Sequence, residues 1–342
     1  MKNTNIIVFG AAGFIGTYLI DELLKENFNV TASDINEIGE TYYKKNNVPY
    51  FQIDITNADD FEKVKDLKFD TVIHLAALQP ANVSEKNFSP RDYINVNGIG
   101  TINILDFCVR NKIKKIIYAC SHRNTQGVWK KDTAIKEKDG RSIKYHGEYA
   151  MFSISENTAQ DCLRYYSEEY GLQTINFRLP PVYGYGPHTE IFKNGKPVIT
   201  GFQTFIENAI ACKPIELWGD SSVGRDIIYV KDVVSAFIKA INSDTAQGLF
   251  NITSGKYLTL KEQVDTTVKI FWGNKNKPEI IELPDKPHHM DSFLYDNSKA
   301  KQELNWSPQY SFEDILLDYK KEMKNQKFKY LLDKRKKMFE SL

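Results

Sequence analysis

Three glycines near the start of the sequence stand at a spacing that can bind phosphate. Gly10, Gly13 and Gly16 occur in VFGAAGFIGTYLIDELL, between a strand-like run and a segment with helical spacing. A helix that begins there directs its unbonded N–H groups and the positive end of its dipole outward, which favours a pyrophosphate. Side chains at these positions would block the ligand. The segment predicts a dinucleotide phosphate site, and a tight glycine turn without a ligand is the alternative.

An acidic residue follows at the distance that a dinucleotide site requires. Asp34 ends the second strand-like run. A carboxylate there can accept hydrogen bonds from the ribose diol of an adenosine, and it would repel a 2′-phosphate. The sequence therefore predicts NAD as the cofactor rather than NADP. The alternative is a surface aspartate that binds nothing.

The elements around these residues alternate in type over the first half of the chain. Strand-like runs are separated by segments with helical spacing such as Ile15, Leu19 and Leu23; the runs are NIIVFG, NVTASD, PYFQID, DTVIHLAA, KKIIYACS and QTINFRL. This alternation predicts an α/β fold with a doubly wound parallel sheet. From about residue 181 the pattern loosens into shorter elements, which predicts a smaller C-terminal α/β lobe over the carboxyl ends of the sheet.

Three segments with different functions are expected. Residues 1–180 form the cofactor domain, to which some later segments return, 181–320 form the substrate lobe, and 321–342 form a basic C-terminal helix. That last segment lies in a stretch with nine Lys and Arg from Lys320 to Lys337. It is interpreted as a solvated helix, with a subunit contact or an anionic surface as alternatives.

Composition excludes several classes of partner. The 342 residues carry 45 Lys and Arg against 44 Asp and Glu, a formal charge of +1, so no global field attracts nucleic acid. No apolar stretch approaches the roughly 18 residues of a membrane span, so no membrane insertion is expected. The cysteines are dispersed, which favours reduced thiols, a cytoplasmic protein and no metal site; they are Cys108, Cys120, Cys162 and Cys212.

Several motifs, in order, give a resemblance to a known family. GAAGFIG, DITN, VIHLAAL and NVNGIGTINIL are followed by RLPPVYGYGP, GDSSVGRDIIYVKDV, LFNITSG and DNSKAKQELNWSP. Over nearly the whole chain the sequence resembles the extended short-chain dehydrogenase/reductase family of NAD-dependent nucleotide-sugar epimerases and dehydratases. The resemblance implies a Rossmann-type sheet and a homodimer through a helix pair that includes residues 152–170.

The resemblance also implies which residues bind the cofactor. Phe14 and Ile15 belong to the phosphate loop with the three glycines, and Asp54 and Ile55 would flank the adenine. Leu75, Ala76 and Ala77 would line the cofactor, and Asn97 is the helix asparagine; these residues lie in GAAGFIG, DITN, VIHLAAL and NVNGIGTINIL respectively.

The catalytic positions of the family are all substituted. In the family a tyrosine phenolate removes a sugar hydroxyl proton while hydride leaves the same carbon for NAD+, a lysine four residues later keeps the phenol acidic, and a serine or threonine positions the hydroxyl. Here FSISENTAQDCLRYYSEEYGL places Phe152 at the tyrosine and Glu156 at the lysine position. Counting back from Gly127 puts His122 at the hydroxyl position, directly after Ser121.

These substitutions change the expected acid/base chemistry. Phe152 has no proton to exchange, and Glu156 reverses the sign of the charge one turn on. A charge of this kind about 5 Å away is worth about 3 kcal/mol at an effective dielectric near 20, so Glu156 is expected to keep a phenol such as Tyr149 neutral. The same carboxylate near His122 would favour the imidazolium. Glu156 can still accept hydrogen bonds from ribose hydroxyls.

His122 is therefore the best remaining group for proton transfer, with Glu156, Tyr149 and Ser121 as its predicted partners. The alternative is that His122 is only a polar residue in a relaxed pocket. Tyr149 is followed four residues later by Ser153, so it does not restore the family motif. Cys120 has no identified activating cation and is interpreted as buried packing.

Residues of the second lobe are expected to bind the substrate. Arg225, in GRDIIYV, resembles the family arginine that grips a nucleotide diphosphate, and a surface ion pair with Asp226 or Asp232 is its alternative. Lys286 takes the place of a second arginine, and Tyr183 is the third predicted substrate residue. His288 and His289 are interpreted as surface or substrate-rim residues.

Three functions remain open from the sequence. One is an NAD-dependent nucleotide-sugar epimerase or dehydratase with a non-standard acid/base centre, acting in carbohydrate biosynthesis. Another is a catalytically inactive sensor or partner subunit that binds NAD or a nucleotide sugar. The third is a redox enzyme for a substrate without a nucleotide, which Arg225 makes less favourable.

Overall fold

The computed structural model describes residues 4–80, 89–130, 133–147, 149–186, 189–193, 196–273, 276–287 and 292–340. Strands and helices alternate through the first half, as predicted. The strands are β1 (Asn5–Phe9), β2 (Asn29–Asp34), β3 (Tyr50–Gln52), β4 (Thr71–His74), β5 (Lys115–Ser121), β6 (Ala134–Ile135) and β7 (Gln173–Leu179). The helices are α1 (Phe14–Lys25), α2 (Glu40–Lys45), α3 (Pro90–Tyr93), α4 (Gly100–Arg110) and α5 (Ala150–Tyr170).

Shorter elements make up the second half. The strands are β8 (Val182–Tyr183), β9 (Glu190–Lys193), β10 (Lys196–Ile199), β11 (Ile215–Trp218), β12 (Gly224–Arg225), β13 (Ile228–Tyr229), β14 (Gly248–Asn251), β15 (Leu258–Thr259), β16 (Ile280–Leu283) and β17 (Leu294–Tyr295). The helices are α6 (Gly201–Ala211), α7 (Val230–Ile241), α8 (Leu260–Phe271), α9 (Ser298–Glu303), α10 (Phe312–Lys324) and α11 (Lys329–Glu340).

A seven-stranded parallel sheet organises the chain, in the order β3-β2-β1-β4-β5-β7-β14. The predicted doubly wound α/β fold is therefore confirmed. The direction of the strand order reverses between β1 and β4, and a crevice at such a reversal is where open α/β sheets bind ligands. β14 comes from the second half of the chain and pairs with β7, so a later segment returns to the first sheet.

Both faces of this sheet are buried because neighbouring side chains of a strand point to opposite sides. Ile6 and Val8 of β1 belong to the apolar cluster with α1 and α7, whereas Ile7 and Phe9 belong to the cluster with α4 and α5. A separate cluster joins α6, α8, α10 and β11 in the smaller lobe. The sheet is thus packed between two apolar layers.

The C-terminal segment differs from its predicted form. It contains the end of α10, a break and then α11, and it packs on the first domain. Phe328 and Leu331 are buried, and Lys327 Nζ lies 2.8 Å from Asp21 Oδ2 on α1. The expectation of a wholly solvated helix is wrong at these positions, because the basic residues alternate with apolar ones that find a partner on α1 and α2.

Within the described residues, every helix is too short or too polar to pass through a lipid bilayer.

Candidate active site

The glycine loop after β1 is crowded by backbone on several sides. Gly10 has φ +82°, and a Cβ there would lie 2.6 Å from the backbone nitrogen of Ala76. A Cβ on Gly16 would lie 2.5 Å from the carbonyl oxygen of Gly10, so α1 packs against the loop at a distance that only glycine permits. Gly13 caps α1 without a side-chain hydrogen bond. The loop therefore fits the pyrophosphate of a dinucleotide.

Residues on either side of the loop hold its position. Phe14 begins α1 and packs against the chain segment at Gly184 and Gly186, while Ile15 is partly buried against the main core. The Oδ2 atom of Asp34, at the end of β2, accepts a hydrogen bond of 3.0 Å from the backbone N–H of Ala12. The carboxylate predicted to bind ribose thus lies directly beside the phosphate loop.

The residues predicted near adenine follow β3. Asp54 Oδ1 accepts hydrogen bonds from the backbone N–H and the hydroxyl of Thr56, which orients the carboxylate within its own turn. Ile55 is 6% exposed and lies under Gly100, where a Cβ would come within 2.7 Å of its side chain. The turn is therefore rigid, and it stands at the same sheet edge as Asp34.

Leu75, Ala76 and Ala77 follow β4 and are partly exposed, so their side chains can line a ligand. Asn97, which is predicted to bind the cofactor, makes hydrogen bonds within the protein. Its amide donates to the carbonyl of Leu78 and to Ser155 Oγ, and its oxygen accepts from the N–H of Leu78. Because both amide hydrogens are used within the protein, Asn97 joins the loop after β4 to α5.

The position predicted to correspond to the family tyrosine holds an apolar ring. Phe152 is 4% exposed, and its ring contacts Tyr93 and Tyr149 with centroid separations of 6.2 and 6.4 Å. It has no atom that can exchange a proton.

Glu156 is bound to strand β5 through both carboxyl oxygens. Oε1 accepts from the hydroxyl of Tyr118 at 2.9 Å, and Oε2 accepts from the N–H of Ser121 at 3.0 Å. Burial raises the pKa of this carboxyl to about 7, and the two hydrogen bonds oppose that rise. The predicted ribose contact by Glu156 is not tested by this geometry, but its carboxyl already connects α5 to β5.

Ser121 and His122 end β5 and begin the tight turn His122–Val128. The hydroxyl of Ser121 accepts a hydrogen bond from the N–H of Arg123, which caps the turn. His122 Nδ1 lies 3.1 Å from the carbonyl oxygen of Leu179, and the ring stacks on Trp129 with an angle of 7° between the planes. The carbonyl can only accept, so Nδ1 carries the hydrogen and Nε2 carries the lone pair.

The electrostatic environment keeps His122 neutral. Burial is the largest cause of its lowered pKa, followed by the positive charges of Arg123 and Arg225. Glu156, which is expected to favour the imidazolium if it lies near His122, is not among the main causes of this shift; its carboxyl accepts hydrogen bonds from Tyr118 and Ser121. Cys120, in the same strand, is 3% exposed, and burial raises the pKa of its thiol, in agreement with a packing role.

One cation in the site was missed from the sequence. The guanidinium carbon of Arg123 lies 3.9 Å from the ring centroid of Tyr149 and 5.4 Å from that of Trp129. Phe293, from the second lobe, packs on both His122 and Trp129. The only available signal was the position of Arg123 directly after a predicted site histidine; its partners are 6 and 26 residues away.

Arg225 and Tyr183, which are both predicted to bind the substrate, are in contact. Arg225 Nη2 donates to the Tyr183 hydroxyl at 3.1 Å, and that hydroxyl donates to Gln263 at 3.3 Å. The two acidic residues proposed as its alternative partners have other contacts: Asp226 accepts from Ser254 and from the N–H of Tyr295, and Asp232 accepts from the N–H groups of Gln309 and Tyr310.

Lys286 lies on the exposed turn after β16, where its ammonium contacts Glu216 at 2.8 Å and the ring of Trp218 at 4.6 Å. Its predicted role at the substrate stays a prediction. His288 and His289 lie outside the described residues.

Comparison with known proteins shows the family of this chain. The sequence profile of the NAD dependent epimerase/dehydratase family matches residues 6–253. A dTDP-4-dehydro-6-deoxyglucose reductase of Escherichia coli is 27% identical, covering 92% of this chain and 95% of that protein. A UDP-glucuronate 4-epimerase of Thermodesulfobacterium geofontis is 28% identical over 91% of this chain and 93% of its own length.

Solved structures share the fold. The UDP-glucose 4-epimerase of Thermotoga maritima, with UDP-glucose, superposes with a TM-score of 0.78 at 24% identity, covering 94% of this chain and 99% of that chain. The UDP-glucose 4-epimerase of Thermus thermophilus, in complex with NAD, gives 0.76 at 22%, covering 94% and 99%. The predicted resemblance is confirmed, and so is NAD as the cofactor of the family. Since the profile covers well over half of its length, the chain belongs to the NAD dependent epimerase/dehydratase family.

Proposed function

We propose that this protein is an NAD-dependent enzyme that acts on a nucleotide-activated sugar, with a non-standard acid/base centre around His122. Membership of the family supports the cofactor, and the names of the relatives support the class of substrate. The observation that carries the catalytic part of the proposal is the state of His122, a neutral imidazole at the carboxyl edge of the sheet.

His122 can accept a hydrogen bond from a hydroxyl group of the substrate. Its Nδ1–H is held by the Leu179 carbonyl, so the Nε2 lone pair can accept a hydrogen bond or a proton from a substrate hydroxyl. Packing between Trp129 and Phe293 restricts the ring to one orientation. A buried imidazole of this kind performs, through a different atom, the task of the hydroxyl side chain that the family uses at this position.

The cofactor residues fit NAD by their shape and their acceptors. The glycine loop would hold the pyrophosphate, Asp34 the adenosine ribose, and Leu75 to Ala77 the middle of the dinucleotide. NAD, when bound, supplies the acceptor for a hydride from a sugar carbon. The chain's own residues must orient the sugar and accept its hydroxyl proton.

Arg225 and Tyr183 support a substrate that carries a nucleotide diphosphate, which these residues would bind. The guanidinium donates to a tyrosine hydroxyl, which restrains it without neutralising its charge. The positive charge of Arg225 also acts on His122, because it is one of the causes that lower the pKa of that ring. Diphosphate binding at Arg225 would therefore place an attached sugar near His122.

A second candidate function is supported by the burial of Phe152 and Glu156. These side chains are 4% and 2% exposed, so the two family positions that normally carry the chemistry are packed within the protein. A protein that binds NAD and a nucleotide sugar as a sensor or partner subunit needs no proton acceptor there.

The experiment that separates the two candidates begins with the cofactor. Purified protein is denatured and the released nucleotide identified, and native protein is incubated with UDP-, GDP-, CDP- and dTDP-sugars. We expect turnover in the wild type and a loss of at least about 100-fold in His122→Gln, because the variant lacks the Nε2 acceptor that holds the substrate hydroxyl for acid/base catalysis.

His146→Gln is the matched control, since His146 is exposed on the loop before α5. Equal turnover in His122→Gln and the wild type would rule out the role of His122. Retention of NAD and sugar nucleotide without any product, in all preparations, would favour the binding protein.

We also infer that the protein is cytoplasmic and forms a homodimer. We propose that the chain is divided into a cofactor domain (1–180), a substrate lobe (181–320) and a C-terminal segment (321–342). Four cysteines without a disulfide in the structure are compatible with the cytoplasm. The outer surfaces near α4 and α5 expose Ile99, Tyr165 and Tyr170, which could be covered by a second copy. The oligomeric state is measured by sedimentation.

A further inference from the structure

Arg123 occupies a defined place at the edge of the site. Its backbone N–H is bonded to the capping hydroxyl of Ser121, so the residue is fixed in the turn that also carries His122. Its guanidinium lies 3.9 Å from the ring centroid of Tyr149. An arginine side chain keeps its positive charge at any pH that a folded protein tolerates.

Tyr149 stands close to the position where the phenol is missing. It is the residue that precedes α5 and comes three residues, about one helical turn, before Phe152. The two rings are in contact, with centroids 6.4 Å apart. A phenol at position 149 therefore adjoins the ring that fills the family tyrosine position.

The balance of charge around Tyr149 differs from the sequence expectation. Glu156 lies about two turns farther along α5, and its carboxyl is directed to Tyr118 and Ser121 on β5. Among the described residues, Arg123 is a charged group that lies directly on the Tyr149 ring, and burial with nearby positive charges lowers the pKa of the adjacent His122. A positive charge at this distance stabilises a phenolate, whereas the distant carboxyl opposes it only weakly.

We propose that Arg123 and Tyr149 together replace the missing lysine and tyrosine: Arg123 is a positioning residue that stabilises the negative oxygen of Tyr149, and Tyr149 is the proton acceptor. This inference rests on the proposed function. The proton of a substrate hydroxyl passes to the phenolate oxygen, and the hydride from the same carbon passes with its two electrons to NAD+. The products are a keto sugar, NADH and neutral Tyr149, with His122 holding the hydroxyl.

The test follows the ionisation of Tyr149 directly and does not need turnover. Protein labelled with 13C at the tyrosine ring carbon that bears oxygen is titrated by NMR, and the Tyr149 signal is assigned by its absence from Tyr149→Phe. We expect its titration midpoint to rise by at least about one pH unit in Arg123→Gln. Arg123→Lys, which retains the charge, should restore most of the difference.

Arg164→Gln is the control, because Arg164 lies on the exposed side of α5 and pairs with Glu168. Turnover is measured on the same preparations, with thermal unfolding to confirm that each is folded. Tyr149→Phe should lose at least about 100-fold, and Arg123→Gln should need a higher pH for the same activity.

An unchanged Tyr149 titration in Arg123→Gln overturns the inference, and so does full activity in Tyr149→Phe. Arg123→Gln could shift the Tyr149 titration although the wild type has no turnover. That result would support the interaction of the two residues, but it would reject both the proton-acceptor role of Tyr149 and the proposed enzymatic function.

Discussion

The carboxyl group of Glu156 is buried, and neighbouring groups stabilise it by hydrogen bonds. In the middle of a helix that faces the sheet, a carboxylate must be desolvated, and its two bonds from Tyr118 and Ser121 only partly offset that cost. The pKa of the group is therefore raised to about 7. The protein therefore holds a carboxyl that titrates near neutral pH at the position predicted to correspond to the family lysine.

The raised pKa of Glu156 predicts a dependence of stability on pH. The unfolded chain releases this proton near pH 4.5, whereas the folded chain retains it until about pH 7. Stability that Glu156 contributes at low pH is therefore lost as the pH rises through this interval, by up to about 3 kcal/mol. Relative to the wild type, Glu156→Gln should become more stable as the pH is raised from 4.5 to 8, measured by urea unfolding.

His74 and His122, whose pKa values are lowered, act in the opposite direction below about pH 6.5. They are present in both proteins, so their effects cancel in the difference between the two unfolding curves. A difference in unfolding free energy that stays constant over this pH range would contradict the assignment of a raised pKa to Glu156.

At the scale of elements, the short segment between α10 and α11 packs against helices α1 and α2 from the beginning of the chain. The ring of Phe328 meets Tyr18 of α1 and Tyr42 of α2, with centroids 5.0 and 6.0 Å apart. Tyr42 donates to Asp21, which also pairs with Lys327. The segment before α11 thus contacts both α1, which follows the glycine loop, and α2, which follows β2.

Removal of the Phe328 ring should destabilise the protein. Phe328 is 4% exposed, and truncation of a buried phenylalanine to alanine costs about 3 kcal/mol or more. Phe328→Ala should lower the unfolding free energy by about that amount in urea. Leu317→Ala on α10 is the control, because Leu317 is 50% exposed and should lose much less. Similar losses in both variants would mean that the segment at Phe328 is not part of the cooperative core.

Sequence reasoning succeeded where the determinants are local. The strand pattern and the spacing of Gly10, Gly13 and Gly16 depend on neighbours within one β-strand, loop and helix, so the fold and the phosphate loop could be predicted. The contact of Arg123 with Tyr149 could not, because it joins a turn after β5 to the start of α5. The direction of the Glu156 carboxyl and the burial of Phe328 likewise depend on residues distant in sequence.

At the scale of the whole molecule, the segment that follows β8 meets helix α1 beside the glycine loop. The Tyr18 hydroxyl of α1 donates to the carbonyl of Tyr185 at 2.6 Å, and the ring of Phe14 packs on the segment that includes Gly184 and Gly186. The first residue of the helix that would receive a pyrophosphate is therefore held by the segment that follows β8. Because Tyr183 of β8 restrains Arg225, the same strand adjoins the predicted diphosphate site of the substrate.

This arrangement predicts that a change in the second lobe weakens cofactor binding in the first. A Cβ on Gly186 would lie 2.4 Å from Phe14 Cδ2, so Gly186→Ala must displace the ring or the segment. Overpacking of this kind costs about 1 to 3 kcal/mol. If about half of this, about 0.5 to 1.5 kcal/mol, is transmitted to the loop, NAD affinity should fall about two- to twelvefold in calorimetric titration of nucleotide-free protein. In Gly201→Ala the new Cβ has no atom within 4 Å among the described residues, so its affinity should equal that of the wild type. An unchanged affinity in Gly186→Ala would show that the glycine loop keeps its geometry without the second lobe, and that the contact at Phe14 serves only to join the two.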